Sequence, residues 1–146
     1  MSENIKITLT ASGRTAEFVM TMDPDFMADR NMRICLERDG ACEPEIVHVM
    51  ARVLREGDVA IDGGANVGYF TMIMSHFVGA SGRVYAVEPT LVNSKKLKHN
   101  LANNAVSNVI VIGEPLYSNR QERLLHLCHD TGSNSLTQSP ESVGRV

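Results

Sequence analysis

Between residues 62 and 89 the chain carries groups spaced for chemistry: Asp62-Gly63-Gly64-Ala65-Asn66-Val67-Gly68, and then Glu88-Pro89. Glycine at 64 removes a Cβ where backbone must come close to a ligand. Gly68 lets a following helix lie near its strand, and Asn66 tolerates a left-handed backbone while offering a side-chain donor. Glu88 stands 20 residues beyond Gly68, the spacing from which a carboxylate at the end of the next strand accepts both hydroxyls of a ribose. A charge-assisted hydrogen bond of that kind contributes about 1.5–3 kcal/mol. Glycines alone would serve any tight strand-to-helix turn; joined to Asp62 and Glu88 they specify a nucleoside cofactor.

Two cofactor classes share this geometry, and charge separates them. A dinucleotide such as NAD lays its pyrophosphate over the turn, at the positive end of the following helix, where Asp62 would repel it. The dinucleotide fingerprint is also imperfect, with Ala65 between Gly64 and Asn66 in the Gly63–Gly68 string. S-adenosylmethionine has no phosphate and carries a sulfonium and an ammonium, which an acidic group at the end of the first strand favours. The residues therefore favour S-adenosylmethionine, with an NAD-dependent oxidoreductase and a non-catalytic binding module as alternatives.

The elements that must position these groups follow from hydrophobic period. Val59-Ala60-Ile61 is a short apolar run, the pattern of a strand covered on both faces. From Val67 to Val78, Phe70, Ile73, Met74, Phe77 and Val78 recur at helical spacing, and Gly79 and Gly82 end the helix. Val84-Tyr85-Ala86-Val87 is a second strand. Thr90 caps a helix with Leu97 and Leu101 inward, and Val109-Ile110-Val111-Ile112 is a third strand. The order predicts an α/β fold with right-handed βαβ units in a Rossmann-like, doubly wound parallel sheet.

Upstream, Ile5, Ile7 and Leu9 alternate with polar residues, Ser12-Gly13 supplies a turn, and Phe18, Met20 and Met22 alternate again, which predicts an amino-terminal β-hairpin. Residues 23–40 read as a connector with one short helix. A helix follows at Glu43-Pro44-Glu45, with Ile46, Met50, Val53 and Leu54 on one face, Arg52 and Arg55 in the last turn, and Gly57 at its end. The expected division is 1–42, hairpin and connector, and 43–146, a partial cofactor-binding domain. After Gly113, residues 123–128 read as one more strand and residues 131 onward as loop.

With 146 residues, 14 Lys+Arg against 17 Asp+Glu, a net charge of −3 and 43% hydrophobic residues, the chain reads as one soluble cytoplasmic domain. The acidic balance argues against nucleic acid or an anionic membrane as main partner, and no stretch approaches the roughly 18 apolar residues of a membrane span. Cys35, Cys42 and Cys128 match neither a disulfide framework nor a zinc ligand set. His126, Cys128 and His129 lie on one short strand that cannot close a tetrahedral site, so no metal is expected. Lys95, Lys96 and Lys98 read as a solvated helix face, and His48, His76 and His99 as isolated packed or solvated side chains.

Taken together, Glu43-Pro44-Glu45, the string from Gly57 through Asp62 to Thr71, Gly82-Arg83-Val84-Tyr85-Ala86-Val87-Glu88-Pro89, Asn108-Val109-Ile110-Val111 and Gly132-Ser133-Asn134-Ser135-Leu136 resemble the FkbM family of class I S-adenosylmethionine-dependent methyltransferases. The likeness spans about residues 43 to 136. It implies O-methylation, typically of a sugar or polyketide hydroxyl. It also implies that Asp62, Gly63, Gly64, Ala65, Asn66 and Gly68 surround the methionine part, that Glu88 beside Pro89 holds the ribose, and that Glu114 stands near the adenine. The family's fourth strand, with its acidic segment, has no counterpart here. The expected sheet is therefore incomplete: a fragment, a truncated reading frame, or a sheet that another chain completes.

Overall fold

The computed structural model describes residues 1–116, 118, 125–128 and 142–145, with backbone alone for 126–128 and 142–145. Strands β1 (Glu3–Ala11) and β2 (Arg14–Met22) form the expected hairpin, in the register Ile5↔Met20, Ile7↔Phe18, Leu9↔Ala16. Ser12 and Gly13 both take a left-handed backbone, φ 50° and 76°, which gives the two-residue turn the hand that matches strand twist. The alternation sends Ile7, Leu9, Ala16, Phe18, Met20 and Met22 into the core.

The connector is more ordered than its composition suggests. Helix α1 (Met27–Asp39) is 13 residues long, against the short helix expected. Only Ala28 and Asp29 are buried on it, with Met32 and Leu36 half-buried against the core, so its apolar stripe is too narrow to reveal its period. On its exposed side Arg33 bonds Glu37 at 3.0 Å and Glu3 at 3.2 Å. Gly40, at φ 73°, closes it by donating to the Leu36 carbonyl.

Helix α2 (Pro44–Val53) begins at the expected proline, but the buried face is Val47, Met50 and Ala51, while Ile46 and Val53 are exposed. The face predicted from the sequence is thus rotated toward Val47 and Ala51, because α2 packs on β1 and the next helix along a stripe that small residues also fill.

The central unit is β3 (Val59–Gly63), α3 (Tyr69–Val78), β4 (Arg83–Val87), α4 (Leu91–Asn103) and β5 (Val109–Ile112), with the three strands parallel in the order β3-β4-β5. Because the order runs one way and crossovers are right-handed, α3 and α4 cover the same face. Ala60, Val84 and Ala86 are buried beneath them, whereas Val59 and Ile61 are 67% and 64% exposed. The expectation that β3 is covered on both faces therefore fails among the described residues: helices cover one side of it alone. On their far side, α3 and α4 pack against β2, giving three layers of parallel sheet, helices and hairpin, with one core running through Phe18, Met20, Tyr69, Ile73, Phe77 and Leu97.

Polar side chains lock these layers. Arg14, in the hairpin, donates to the carbonyls of Ala51, Leu54 and Phe77 at 3.1, 2.6 and 2.8 Å, at the ends of α2 and α3. Lys96 on α4 pairs with buried Asp29 on α1 and lies 3.8 Å from the centre of the Phe26 ring. Lys96 is therefore no part of a solvated lysine face: its neighbours Lys95 and Lys98 are exposed, and it is not. Further along, β6 (His126–Cys128) pairs antiparallel with β7 (Ser142–Arg145). The first falls at the end of the strand expected at 123–128, and the second replaces the loop expected there. Residues 131–139, with the Gly132–Leu136 resemblance, lie outside the described residues.

Candidate functional site

β3 ends on Asp62 and Gly63, and the chain doubles back through Gly64 to Gly68 before α3 begins. The backbone N–H groups of Gly64 and Ala65 both donate to the Val87 carbonyl, at 3.0 and 2.9 Å, so the turn is fastened to the end of β4. Gly64, Asn66 and Gly68 have φ of 86°, 49° and 100°, alternate residues in the region that L side chains avoid. The two glycines serve different ends. A Cβ on Gly68 would stand 2.5 Å from Cδ1 of Leu97, whereas a Cβ on Gly64 would meet no atom within 4 Å. Gly68 thus permits close packing on α4, a different neighbour from the strand that its position predicts, and Gly64 faces open space. Gly63 lies under Leu116, whose Cδ1 would be 3.3 Å from a Cβ there.

Two carboxylates floor the turn, and both are buried: Asp62 is 7% and Glu88 5% exposed. The Thr71 hydroxyl, on α3, donates to Oδ2 of Asp62 at 2.5 Å. Burial pushes the Asp62 carboxyl above its ordinary value, the Thr71 hydroxyl and backbone N–H pull it down, and the Glu88 charge raises it. Glu88 joins the two loops around the site. Its Oε2 accepts from the Asn66 backbone N–H at 2.9 Å, and its Oε1 accepts from the Thr90 backbone N–H at 2.9 Å and from the Thr90 hydroxyl. Thr90 stands at the N-cap of α4 as expected, yet makes no side-chain cap bond. Pro89 holds the chain between them so that both Thr90 donors turn back onto Glu88, two residues upstream.

Asn66 carries the feature that points to a ligand: its Oδ1 is buried and unpartnered, an arrangement costing about 1–3 kcal/mol unless something donates to it. The turn itself is held from behind by Asn100, 1% exposed, which donates from Nδ2 to the Val67 carbonyl at 2.9 Å and accepts from the Thr21 N–H at 3.0 Å. Sequence reasoning missed Thr71, Thr90 as a Glu88 partner, and Asn100. Helical spacing of Asn100 from Leu97 was the available signal for an inward polar side chain.

Of the sequence-predicted site residues, Asp62, Gly63, Gly64, Ala65, Asn66, Gly68, Glu88 and Pro89 converge where β3 and β4 end. Glu114 is exposed on the segment after β5, two residues before Leu116 reaches Gly63. His48, His76 and His99 are exposed. Among the described residues no group of three His, Cys, Asp or Glu is placed to hold a metal; His129 and the side chains of His126 and Cys128 lie outside the described residues.

A βαβαβ unit whose first strand ends on a buried aspartate and glycine turn, and whose second ends on a buried glutamate, defines a class I S-adenosylmethionine-dependent methyltransferase fold. The family model for protein-L-isoaspartate(D-aspartate) O-methyltransferase matches residues 17–114. The chain belongs to that family, whose cofactor is S-adenosylmethionine.

One solved structure supports the fold, and two others are similar at lower score. An S-adenosylmethionine-dependent O-methyltransferase from Thermotoga maritima is 22% identical, with 80% of this chain and 43% of that one covered and a TM-score of 0.50. A methyltransferase from Aquifex aeolicus is 24% identical over 70% of this chain and 51% of that one, TM-score 0.49. M. jannaschii TYW2 in complex with AdoMet is 21% identical over 77% and 44%, TM-score 0.45. The chain spans less than half the length of the first solved structures that it matches. No curated protein matches the sequence. Among the described residues no helix is long and apolar enough to cross a membrane.

The residues at the turn fit this cofactor. Two buried carboxylates and an unpartnered Asn66 oxygen are acceptors, suited to an ammonium and to ribose hydroxyls and hostile to a pyrophosphate.

Proposed function

We propose that this chain supplies the methyl-donor site of an O-methyltransferase, FkbM-like in its Asp-Gly-Gly-Ala-Asn-Val-Gly turn, whose acceptor is a hydroxyl of a sugar or polyketide-type small molecule. The observation that carries the reading is the unpartnered Asn66 Oδ1 between buried Asp62 and Glu88. In this reading Asp62 meets the ammonium, and Gly63, Gly64 and Ala65 offer close backbone. Asn66 accepts from the methionine part, Gly68 lets α3 start near its strand, and Glu88 beside Pro89 accepts from the ribose while keeping its bonds to Asn66 and Thr90. Glu114 borders the adenine side.

When bound, the cofactor supplies a methyl group on a sulfonium leaving group. The chain's part is then to orient and enclose, and alignment of this kind accounts for about 7–11 kcal/mol of barrier. β3 is an edge strand among the described residues, with Val59 and Ile61 exposed, so further polypeptide, from this or a second chain, completes the sheet along it. The boundary at 42/43 and a cytoplasmic location, where cysteine thiols stay reduced, belong to the same reading.

The test is methyl transfer from S-adenosylmethionine carrying a labelled methyl group, to a panel of sugars and polyketide alcohols, with an isoaspartyl peptide alongside. Label on a hydroxyl supports the reading. Label on the isoaspartyl carboxylate alone replaces its acceptor, and the absence of label on every acceptor contradicts it for this chain.

A further inference from the structure

Thr71 and Asp62 form a buried polar pair at the turn. Thr71 is wholly buried, at 0% exposure, in the first turn of α3, and its hydroxyl donates to Oδ2 of Asp62 at 2.5 Å. A threonine inside a helix ordinarily returns its hydroxyl to the carbonyl one turn earlier. Here the turn before α3 is Gly64 to Gly68, and the hydroxyl points across to the strand end instead. Helix α3 also starts on Gly68, which has no side chain to cap it, so its first N–H groups face the end of β3, where Asp62 stands.

We propose that Thr71 is a positioning residue of the donor site: its hydroxyl fixes one oxygen of Asp62 and leaves the other turned to the ammonium of the methyl donor. The inference rests on the reading of the site given above. A carboxylate has two oxygens and about four lone-pair directions. The O–H bond to Oδ2 from buried Thr71, with the Thr71 backbone N–H beside it, restricts the orientation of the group.

The same bond favours the ionised form of Asp62. Burial acts against the charge, and among the described residues the charged group that acts on Asp62 is Glu88, at the end of β4, which acts against it too. The donors working the other way are the Thr71 hydroxyl and backbone N–H. Without the hydroxyl, Asp62 takes up a proton at higher pH and loses its attraction for a cation.

Three variants separate this role from plain packing. Thr71→Val keeps the shape and removes the donor; Thr71→Ser keeps the donor and removes a methyl group; Thr71→Ala removes both and replaces Thr71→Val should that variant not fold. The first readout needs no ligand: the Asp62 carboxyl is titrated by carbon NMR in each chain. It is expected to move to higher pH in Thr71→Val and to stay near wild type in Thr71→Ser. The second is calorimetric binding of S-adenosylhomocysteine as a function of pH, from the acidic range to above neutrality. Thr71→Val is expected to bind about tenfold more weakly, by a margin that shrinks as pH rises, and to be rescued in Thr71→Ser.

An Asp62 titration and an affinity profile unchanged in Thr71→Val, with wild type binding normally, overturn the role of Thr71 and leave the donor site standing. Wild type that does not bind while the Asp62 titration still moves overturns the donor-site reading, and with it the ligand half of this inference. A loss of affinity that is equal at every pH overturns it as well, since that is the mark of damaged packing.

Discussion

The side-chain amide of Asn104 pairs with both backbone groups of Val19: Oδ1 accepts the N–H and Nδ2 donates to the carbonyl, each at 2.7 Å. The residue that caps α4 (Leu91–Asn103) thus does for the free edge of β2 what a neighbouring strand would do, and Asn100, one turn earlier, adds a single bond by accepting the Thr21 N–H. This is how a two-stranded hairpin, marginal by itself, is held against the helices that carry the site. Asn104→Ala leaves both Val19 groups half-buried and unpaired, at an expected cost of about 1–3 kcal/mol. Urea unfolding measures it, and a loss indistinguishable from an exposed Asn103→Ala control contradicts the account.

Asp62 illustrates a site that works against the fold. Burial holds its carboxyl above the ordinary value, with the Glu88 charge adding to the effect. A group raised in this way stabilises the fold fully below its unfolded value, and that contribution is lost as pH climbs through the raised one. Asp62→Asn abolishes the dependence, and its carbonyl still accepts from Thr71. The variant is expected to melt above wild type at neutral pH, by a margin that shrinks on acidification, and to lose S-adenosylhomocysteine binding. Melting curves across the acidic range check the sign.

Gly64 and Gly68 are expected to part company when each becomes alanine. Both have positive φ, a strain of about 1–3 kcal/mol for a residue with a Cβ. Gly68→Ala adds a collision with buried Leu97 and is expected to unfold at clearly lower denaturant. Gly64→Ala meets open space, so it is expected to stay folded and to fail in binding S-adenosylhomocysteine. Normal binding by folded Gly64→Ala would show that the ligand does not approach this backbone.

Arg14 holds three carbonyls at the ends of α2 and α3 and lies 4.4 Å from the centre of the Phe77 ring. Arg14→Ala is expected to cost about 2–3 kcal/mol. Arg14→Lys is expected to restore less than half of that, because an ammonium cannot fork between the two helix ends. Chemical denaturation of the three chains decides it.

How much was legible in the sequence varies by the kind of signal. The hairpin, the three parallel strands and the helices of the central unit follow hydrophobic period, and the structure places them within about two residues, the usual scatter of element ends. Asp62, the glycines and Glu88 also converge where their spacing puts them. Polar solutions left little trace: α1 shows a narrow apolar stripe beside buried Asp29 and the Gly40 stop, Lys96 is a partner of Asp29 hidden in a lysine run, Asn100 shows only its helical spacing from Leu97, and nothing in the sequence marks Asn104 as a partner of Val19. Val59 and Ile61 misled in the opposite direction. Their apolar run predicts cover on both faces, but the covering layer on one side is not among the described residues.

The most direct test of the central claim is a calorimetric titration of S-adenosylhomocysteine into the purified chain, with NAD as the competing ligand and the Asp62→Ala, Glu88→Ala double variant as control. The account predicts micromolar binding of S-adenosylhomocysteine, a Kd worth about 8 kcal/mol at 1 μM, with no binding of NAD and none by the double variant. A folded chain that binds NAD, or that binds neither ligand, would contradict it.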